Sequence, residues 1–151
     1  MHVVLVEPEI PPNTGNISRT CAVTGTGLHL VEPLGFSLDE RQLKRAGLDY
    51  WQYLKLQLHQ NIDDVLSLAN SKFWFFTTKG TQMYTDIKYG PDDYLVFGKE
   101  TAGLPAALLA TYPDRCIRVP MGREVRSLNL SNAVAIVLYE ALRQQGFPDM
   151  N

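Results

Sequence analysis

Short runs of apolar residues alternate with helical segments along this chain, and this alternation limits the folds that it can adopt. Val3–Val6, Phe73–Thr77 and Tyr94–Phe97 are apolar throughout or nearly so. A strand without polar residues on either face belongs in a sheet that is covered on both sides, as parallel sheets are. The sequence therefore predicts an α/β fold in which a mainly parallel sheet is flanked by helices.

The remaining elements are predicted from hydrophobic periodicity, capping residues and turn glycines. The predicted strands are Leu28–Val31, Tyr53–His59 and Ile117–Val119, and the predicted helices span about 15–24, 37–45, 61–70 and 104–111, with a last helix from about Ser131. In the first helix Ile17 and Cys21 share one face while Arg19 lies nearly opposite, so this arginine is expected to point away from the core. No linker divides the chain, and residues 1–151 are expected to form a single domain.

Composition argues against several classes of function. The formal net charge is -2, so the chain is no bulk polyanion binder and any nucleic-acid surface must be local. The first residues lack the basic segment of a signal peptide and no apolar run approaches a membrane span, so a cytoplasmic protein is expected. His2, His29 and His59 lack ligand spacing, and Cys21 and Cys116 are expected to be reduced core thiols, so no metal site is expected.

Three polar segments follow predicted strands, at the edge of a parallel sheet where ligands gather. The first, 13–19, has side-chain amides, a glycine and Arg19, which suit a phosphate or hydroxyl site. An N-cap, a turn and a solvated arginine would explain the same residues. The second, 97–104, places Glu100 between two glycines, either as an acceptor in a backbone-lined pocket or as a helix cap. The third, 123–129, leads into the last helix.

Common nucleotide-binding and hydrolase motifs do not fit these segments. Gly98-Lys99 lacks the earlier glycine and the following Ser or Thr of a Walker A loop. Gly25-Thr26-Gly27 follows a helix and has no third glycine in place, unlike a Rossmann fingerprint. Ser127 has neither a G-x-S-x-G elbow nor an evident histidine base. Dehydrogenase, P-loop and serine hydrolase functions are therefore disfavoured.

Taken in order, the three segments resemble the three motifs of the SPOUT superfamily of RNA methyltransferases. The matching residues are Asn13-x-x-Asn16-x-x-Arg19, Phe97-Gly98-x-Glu100-x-x-Gly103-Leu104, and Ile117-Arg118-Val119-Pro120-Met121 with Ser127-Leu128-Asn129-Leu130-Ser131-Asn132-Ala133. Within the superfamily the chain is similar to the small TrmL (YibK-like) family of tRNA 2′-O-methyltransferases. The stretches EPEIPPNTGNISR, EPLGF, RAGLDY and TTKG extend the likeness over nearly the whole chain.

The resemblance implies a fold and a cofactor. SPOUT enzymes are α/β domains in which the C-terminal segment passes through a loop and forms a deep trefoil knot. They bind S-adenosylmethionine in a bent form at this knot, largely through backbone groups. The implied cofactor-binding residues are Phe76, Thr77, Gly98, Val119, Met121, Ser127 and Leu128.

The resemblance also implies a reaction. TrmL-type enzymes are homodimers that methylate the ribose of the wobble nucleotide, position 34, a cytidine or modified uridine in the anticodon stem-loop of leucine tRNAs. The RNA-facing arginine of one chain lies near the cofactor of the other. A ribose 2′-hydroxyl is a poor nucleophile, which must be aligned with the methyl group and relieved of its proton. Arg19 is expected to hold the adjoining phosphate and to polarise this hydroxyl, and the other implied catalytic residues are Asn13, Glu100, Ser127 and Asn129.

Basic residues provide a candidate tRNA surface despite the net charge. They are Arg19, Arg123 and Arg126 near the site and Arg41, Lys44 and Arg45 on a predicted helix, where a solvated helix face is an equal explanation. Ala102 departs from the family pattern, because many members have arginine at this point of the second motif. No metal is expected, since the methyl donor itself carries the positive charge.

The last helix favours a partner. Leu130, Val134, Val137 and Ala141 form one stripe, and Ile136, Tyr139 and Arg143 lie on the other side. Two apolar faces indicate a homodimer, and the alternative is a helix buried within one domain. Two other functions also stay open: a SPOUT enzyme that acts on ribosomal RNA or another tRNA nucleotide, and a non-catalytic module that binds RNA or adenosine ligands.

Overall fold

A computed structural model describes residues 1–38, 50–68, 70 and 72–151 of the chain. Its strands are β1 (His2–Val6), β2 (Gly27–Val31), β3 (Lys55–His59), β4 (Phe73–Phe76), β5 (Gln82–Met83), β6 (Tyr94–Phe97) and β7 (Cys116–Arg118). The α-helices within the described ranges are α1 (Pro11–Thr24), α2 (Ile62–Leu66), α3 (Ala106–Thr111) and α4 (Leu130–Gln144). Trp51–Tyr53 and Pro113–Arg115 are short 3-10 helices.

The seven strands of the described ranges form one parallel sheet in the order β3-β2-β1-β6-β4-β7-β5. The prediction of an α/β fold with a mainly parallel sheet is therefore confirmed. The order runs outward from β1 through β2 to β3 on one side, and from β6 through β4 and β7 to β5 on the other. The crevice beyond the carboxyl ends of β1 and β6 is thus a switch point, where doubly wound sheets bind ligands.

Both faces of the sheet are covered, as the wholly apolar strands predict. On one face, Val3, Leu5, Leu28, Leu30, Leu95 and Phe97 pack with residues of α1 and α4. On the other face, Val4, Val6, Val31, Phe75 and Val96 pack with α2 residue Val65 and with Leu104. No helix in the described part of the chain has the length and apolar character needed to cross a membrane.

Helix α1 begins earlier than the sequence predicts. Pro11 and Pro12 occupy its first two positions. Proline lacks a backbone N–H, and this costs nothing there because N–H groups in the first turn of a helix have no acceptor within the helix. The helix ends at Gly25, which adopts a left-handed conformation with a φ of 65°. Ile17 is fully buried and Arg19 is exposed, so the predicted orientation of this helix is confirmed.

Two predicted elements are shorter in the structure. The third strand begins at Lys55 rather than Tyr53, and Leu58 is 51% exposed although its alternation with Leu56 predicts a covered side chain. This strand is at the edge of the sheet, where less of the chain covers it. Helix α2 ends at Leu66, and Asn61 caps it through a reciprocal pair of hydrogen bonds with Asp64. Most of the predicted helix at 37–45 lies outside the described residues.

Helix α4 has the two faces that the sequence predicts. Val134, Val137 and Ala141 are fully buried, and Ile136 and Tyr139 are 39% and 42% exposed. The side chain of Gln144 fixes the end of this helix: it donates to the carbonyl of Ile87 at 2.9 Å and accepts from the N–H of Tyr89 at 3.1 Å.

Candidate active site

The three polar segments meet at one cavity of about 930 Å³ beyond the carboxyl ends of the strands. Its walls come from the loop after β6, the loop after β4, the loop after β7 and the first turn of α1. Gly98 and Ser127, which are far apart in the sequence, both line it. Its volume is typical of cofactor and small-ligand pockets.

All seven residues that the resemblance implies for the cofactor line this cavity. They are Phe76, Thr77, Gly98, Val119, Met121, Ser127 and Leu128. At Gly98 the loop folds back on itself, because the N–H of Gly103 donates to the carbonyl of Lys99 at 2.8 Å. A Cβ at Gly98 would lie 2.0 Å from the carbonyl carbon of Gly103, so only glycine allows this bend.

Glu100 joins the loop after β6 to the segment that precedes α1. Its Oε2 accepts from the N–H of Glu9 at 2.8 Å, and its Oε1 accepts from the N–H of Ile10 and from Nδ2 of Asn13, both at 3.1 Å. Partial burial raises the pKa of the carboxyl, but these hydrogen bonds outweigh that effect and hold the pKa below its usual value. Glu100 is therefore an anionic acceptor at the N-terminus of α1. This role is close to that of a helix cap, one of the two roles that the sequence predicts for it.

Asn13 extends this connection to the third segment. Its side chain is 6% exposed, and its Oδ1 accepts from Nδ2 of Asn129 at 3.0 Å. Asn129 is the N-cap of α4, because its Oδ1 accepts from the N–H groups of Ser131 and Asn132. Asn13 lies within the first turn of α1 rather than at its N-cap, which is Ile10. Glu100, Asn13 and Asn129 thus form a chain of hydrogen bonds across all three segments.

A second set of contacts joins the loop after β1 to the loop after β6, and the sequence does not predict it. Nζ of Lys99 lies 2.8 Å from Oε2 of Glu7, and Oε2 of Glu9 accepts from both the N–H and the hydroxyl of Thr101. The acidic residues follow β1 and their partners follow β6. Only the adjacency of these two strands brings them together, and no local signal in the sequence marks it.

The predicted basic residues occupy different positions around the cavity. Arg126 lines it, whereas Arg19 and Arg123 are exposed side chains that do not. The guanidinium carbon of Arg19 lies 4.8 Å from the ring centroid of Tyr50. Arg41, Lys44 and Arg45 lie outside the described residues.

The three histidines, which appear scattered in the sequence, are neighbours on β1, β2 and β3. Nδ1 of His2 lies 3.0 Å from Nε2 of His29, and Nδ1 of His29 lies 2.9 Å from Nε2 of His59. Burial, together with the two neighbouring histidines, lowers the pKa of His29 to about 4. In the described ranges no three His, Cys, Asp or Glu side chains form a group that could hold a metal ion.

The two cysteines are buried on opposite faces of the sheet and are not bridged. Cys21 belongs to the core between the sheet and α1, and Cys116 belongs to the core of the other face. Burial raises the pKa of the Cys21 thiol to about 12, so this residue remains a protonated, unreactive part of the core. The prediction of reduced core cysteines is confirmed.

The chain is similar to known RNA methyltransferases over nearly its whole length. Residues 1–139 match the family described as SpoU rRNA Methylase. The tRNA (cytidine(34)-2′-O)-methyltransferase of Escherichia coli strain K12 is 50% identical over 150 residues, which cover 98% of this chain and 96% of that protein. The enzyme of the same name from Saccharophagus degradans is 51% identical over 148 residues, with coverages of 97% and 96%.

Solved structures give the same result. A structure described as giving insights into the 2-OH methylation of C/U34 on tRNA has a TM-score of 0.90 and 44% identity, and the match covers 96% of this chain and 95% of that one. The SpoU methyltransferase AviRb from Streptomyces viridochromogenes, in complex with the cofactor AdoMet, has a TM-score of 0.84 and 25% identity over 96% of this chain and 57% of that one.

Proposed function

This chain belongs to the SpoU rRNA methylase family, and we propose that it transfers a methyl group from S-adenosylmethionine to the ribose 2′-hydroxyl of nucleotide 34 in tRNA. The single observation that carries the proposal is the meeting of the three motif segments at one cavity. The full-length similarity to enzymes named for cytidine 34 supports this choice of nucleotide over another RNA position. We extend the proposal to leucine tRNAs, recognised at the anticodon stem-loop in the cytoplasm.

The cavity residues fit S-adenosylmethionine. Phe76, Val119, Met121 and Leu128 provide apolar walls for an adenine ring, and Gly98 brings the backbone close where a side chain would have no room. The bound cofactor supplies a methyl group made electrophilic by the positive charge on its sulfur. The task of the protein is then to hold the ribose so that its 2′-oxygen is aligned with the methyl group of the cofactor.

The remaining residues divide into groups that contact the RNA and groups that position the loops. Arg19 holds the phosphate next to the ribose and polarises the 2′-hydroxyl, which would lower its pKa so that the proton passes to water as the bond from oxygen to the methyl carbon forms and the bond from that carbon to sulfur breaks. Ser127 offers a further hydrogen bond from the cavity wall. Asn13, Glu100 and Asn129 position the three loops, because their polar atoms already bond to one another. Their contribution to catalysis is therefore alignment, which can account for a large share of a rate enhancement. Arg126 and Arg123 bind the tRNA backbone.

We also propose a homodimer in which Arg19 of one chain serves the cavity of its partner. Arg19 does not line the cavity of its own chain. Helices α1 and α4 pack against each other and expose Val23, Ile136 and Tyr139, at 50%, 39% and 42% exposure. A partner that covers these side chains would remove apolar surface from water.

A knotted C-terminal segment is the last part of the proposal. Strand β7 lies between β4 and β5, so the chain that joins those two strands passes over β7, and Gly80 belongs to this connection. A Cβ on Gly80 would lie 2.6 Å from the carbonyl carbon of Ile117, so the crossing is in direct contact with β7. We propose that β7 and α4 are threaded through the loop before β6, an arrangement compatible with this contact.

The methyl-transfer experiment uses tRNA from a strain that lacks this protein, with tritiated cofactor. We expect label at the 2′-oxygen of nucleotide 34 in leucine tRNAs, and its loss in Arg19→Ala but not in Arg115→Ala, an exposed arginine away from the cavity. Label at another nucleotide or in ribosomal RNA would replace the proposed substrate. Absence of label from every RNA would favour a binding module.

A mixing experiment tests the shared site. At a cofactor concentration too low to fill the weakened Gly98→Ala site, Arg19→Ala and Gly98→Ala chains are each expected to be largely inactive, but a mixed dimer contains one intact cavity that faces one intact arginine. Equal amounts of the two chains, unfolded and refolded together, should recover about a quarter of the wild-type activity, since half of the dimers are mixed and each has one working site. No recovery would place Arg19 in the cavity of its own chain.

A further inference from the structure

Arg19 rests against an aromatic ring rather than extending freely from helix α1. Its guanidinium carbon lies 4.8 Å from the ring centroid of Tyr50, within the range of a cation–π interaction. Tyr50 immediately precedes the 3-10 helix Trp51–Tyr53, which packs against α1. Tyr50 itself is half-buried, whereas Arg19 is exposed. The ring is thus a partly covered platform beside a solvent-exposed charge.

A platform of this kind selects among the conformations of a long side chain. An arginine has several rotatable bonds, and an exposed one samples many rotamers. Contact with the face of a ring favours the rotamers that place the guanidinium over it, by about two- to fivefold at an exposed position. Part of the ordering needed to meet an RNA is then present before the RNA arrives.

An aromatic platform also leaves the arginine available for a ligand. An aromatic ring attracts the guanidinium through its π electrons and offers no carboxylate-like acceptor to the five N–H donors, most of which stay available for a phosphate or a hydroxyl. A carboxylate partner would occupy those donors and neutralise the charge. Tyr50 orders Arg19 without competing with the RNA.

We propose that Tyr50 is a positioning residue for methyl transfer, which acts by holding the Arg19 guanidinium over its ring. The inference rests on the proposed function, because it assumes that Arg19 contacts the RNA at the reacting nucleotide. It requires the ring and not the phenolic hydroxyl. Phenylalanine should therefore replace tyrosine, and an aliphatic side chain of similar size should not.

The experiment compares the wild-type enzyme with Tyr50→Leu and Tyr50→Phe variants on tRNA that lacks the modification. Tyr53→Leu is the matched control, since Tyr53 belongs to the adjoining 3-10 helix and is 63% exposed. We expect kcat/KM for tRNA to fall about fivefold in Tyr50→Leu and to remain within about twofold of wild type in Tyr50→Phe and Tyr53→Leu. Cofactor affinity should be the same in all four proteins, and Tm should fall by no more than about 2–4 °C in Tyr50→Leu, the effect of losing one surface cation–π contact. A small change in Tm beside a fivefold loss of kcat/KM separates positioning from a folding defect.

The Arg19→Ala background distinguishes the possible failures. There, Tyr50→Leu should cause no further loss, since the two residues act as one unit. If Arg19→Ala lowered kcat/KM but Tyr50→Leu had the same kcat/KM as Tyr53→Leu, this inference would be overturned while the proposed role of Arg19 would stand. A fully active Arg19→Ala enzyme would overturn the proposed role of Arg19, and this inference with it.

Discussion

Replacing Glu100 with glutamine tests whether a charged carboxylate holds the loops of the cavity together. The two oxygens of Glu100 accept three hydrogen bonds, from the N–H groups of Glu9 and Ile10 and from the amide of Asn13. Glutamine has one acceptor oxygen, so its amino group must face at least one of these donors. A lost hydrogen bond to a charged group costs about 1.5–3 kcal/mol. We therefore expect Glu100→Gln to lower the free energy of unfolding by about 2 kcal/mol at pH 7, or Tm by about 4–8 °C.

Unfolding in urea, followed by the fluorescence of Trp51 and Trp74, measures this difference. Glu124→Gln is the matched control, because Glu124 is exposed in the loop after β7, and it should stay within about 0.5 kcal/mol of wild type. If Glu100→Gln were as stable as this control at pH 7, the reasoning would be refuted.

The difference in free energy of unfolding between wild type and Glu100→Gln should also depend on pH, which is an independent check. The folded protein holds the pKa of Glu100 below its ordinary value of 4.5, so the unfolded chain takes up the proton first as the pH falls. The stabilisation is complete above the ordinary pKa and is lost as the pH falls through the lower pKa of the folded state. The gap between wild type and Glu100→Gln should therefore be constant from pH 7 to 5 and should narrow below pH 4.5.

The loop glycine, the helix cap and the buried histidine each support a further prediction. Gly98→Ala should weaken cofactor binding about tenfold or more in calorimetry, because its Cβ would displace the loop, while Gly122→Ala, with no neighbour nearer than 4.0 Å, should bind normally. Equal affinities would contradict this. Asn129→Ala should lower the free energy of unfolding by about 1–2 kcal/mol through loss of the α4 cap, and an unchanged urea midpoint would argue against that role. His29 should make the protein less stable in acid: its folded pKa of about 4 lies below the ordinary 6.5, so stability present above pH 6.5 should fall by about 3 kcal/mol by pH 4. Urea titrations across this range should show a shallower decline for His29→Gln, and parallel curves would exclude the effect.

Local patterns predicted most of the elements but few of their ends. The strand predicted at Tyr94–Phe97 has the same bounds in the structure. A strand buried on both faces consists of apolar residues only, so the polar residues beside it mark its two ends. The sequence predicts the start of α1 four residues too late, because the two prolines at its beginning indicate a turn as readily as a first helical turn. The short strand β5 has only two residues, too few for any period to be seen.

The candidate site was predictable in part. The three polar segments could be named because each follows a strand in a parallel sheet, and such segments share one edge. The roles of Glu100 and Asn13 could not be chosen from their own neighbourhoods, where a cap and a catalytic contact predict the same residue types. Their partners come from other segments, nearly 90 residues or more away in the chain.

Residues close together in the chain are enough to specify an α/β domain with a covered parallel sheet and polar loops at the strand ends, because the burial of apolar strands and the capping of helices depend on local sequence. The folded molecule adds that β1 lies beside β6, that three histidines form a hydrogen-bonded row, and that Arg19 rests on Tyr50. These contacts depend on strand order and long-range packing, which no short stretch of sequence encodes.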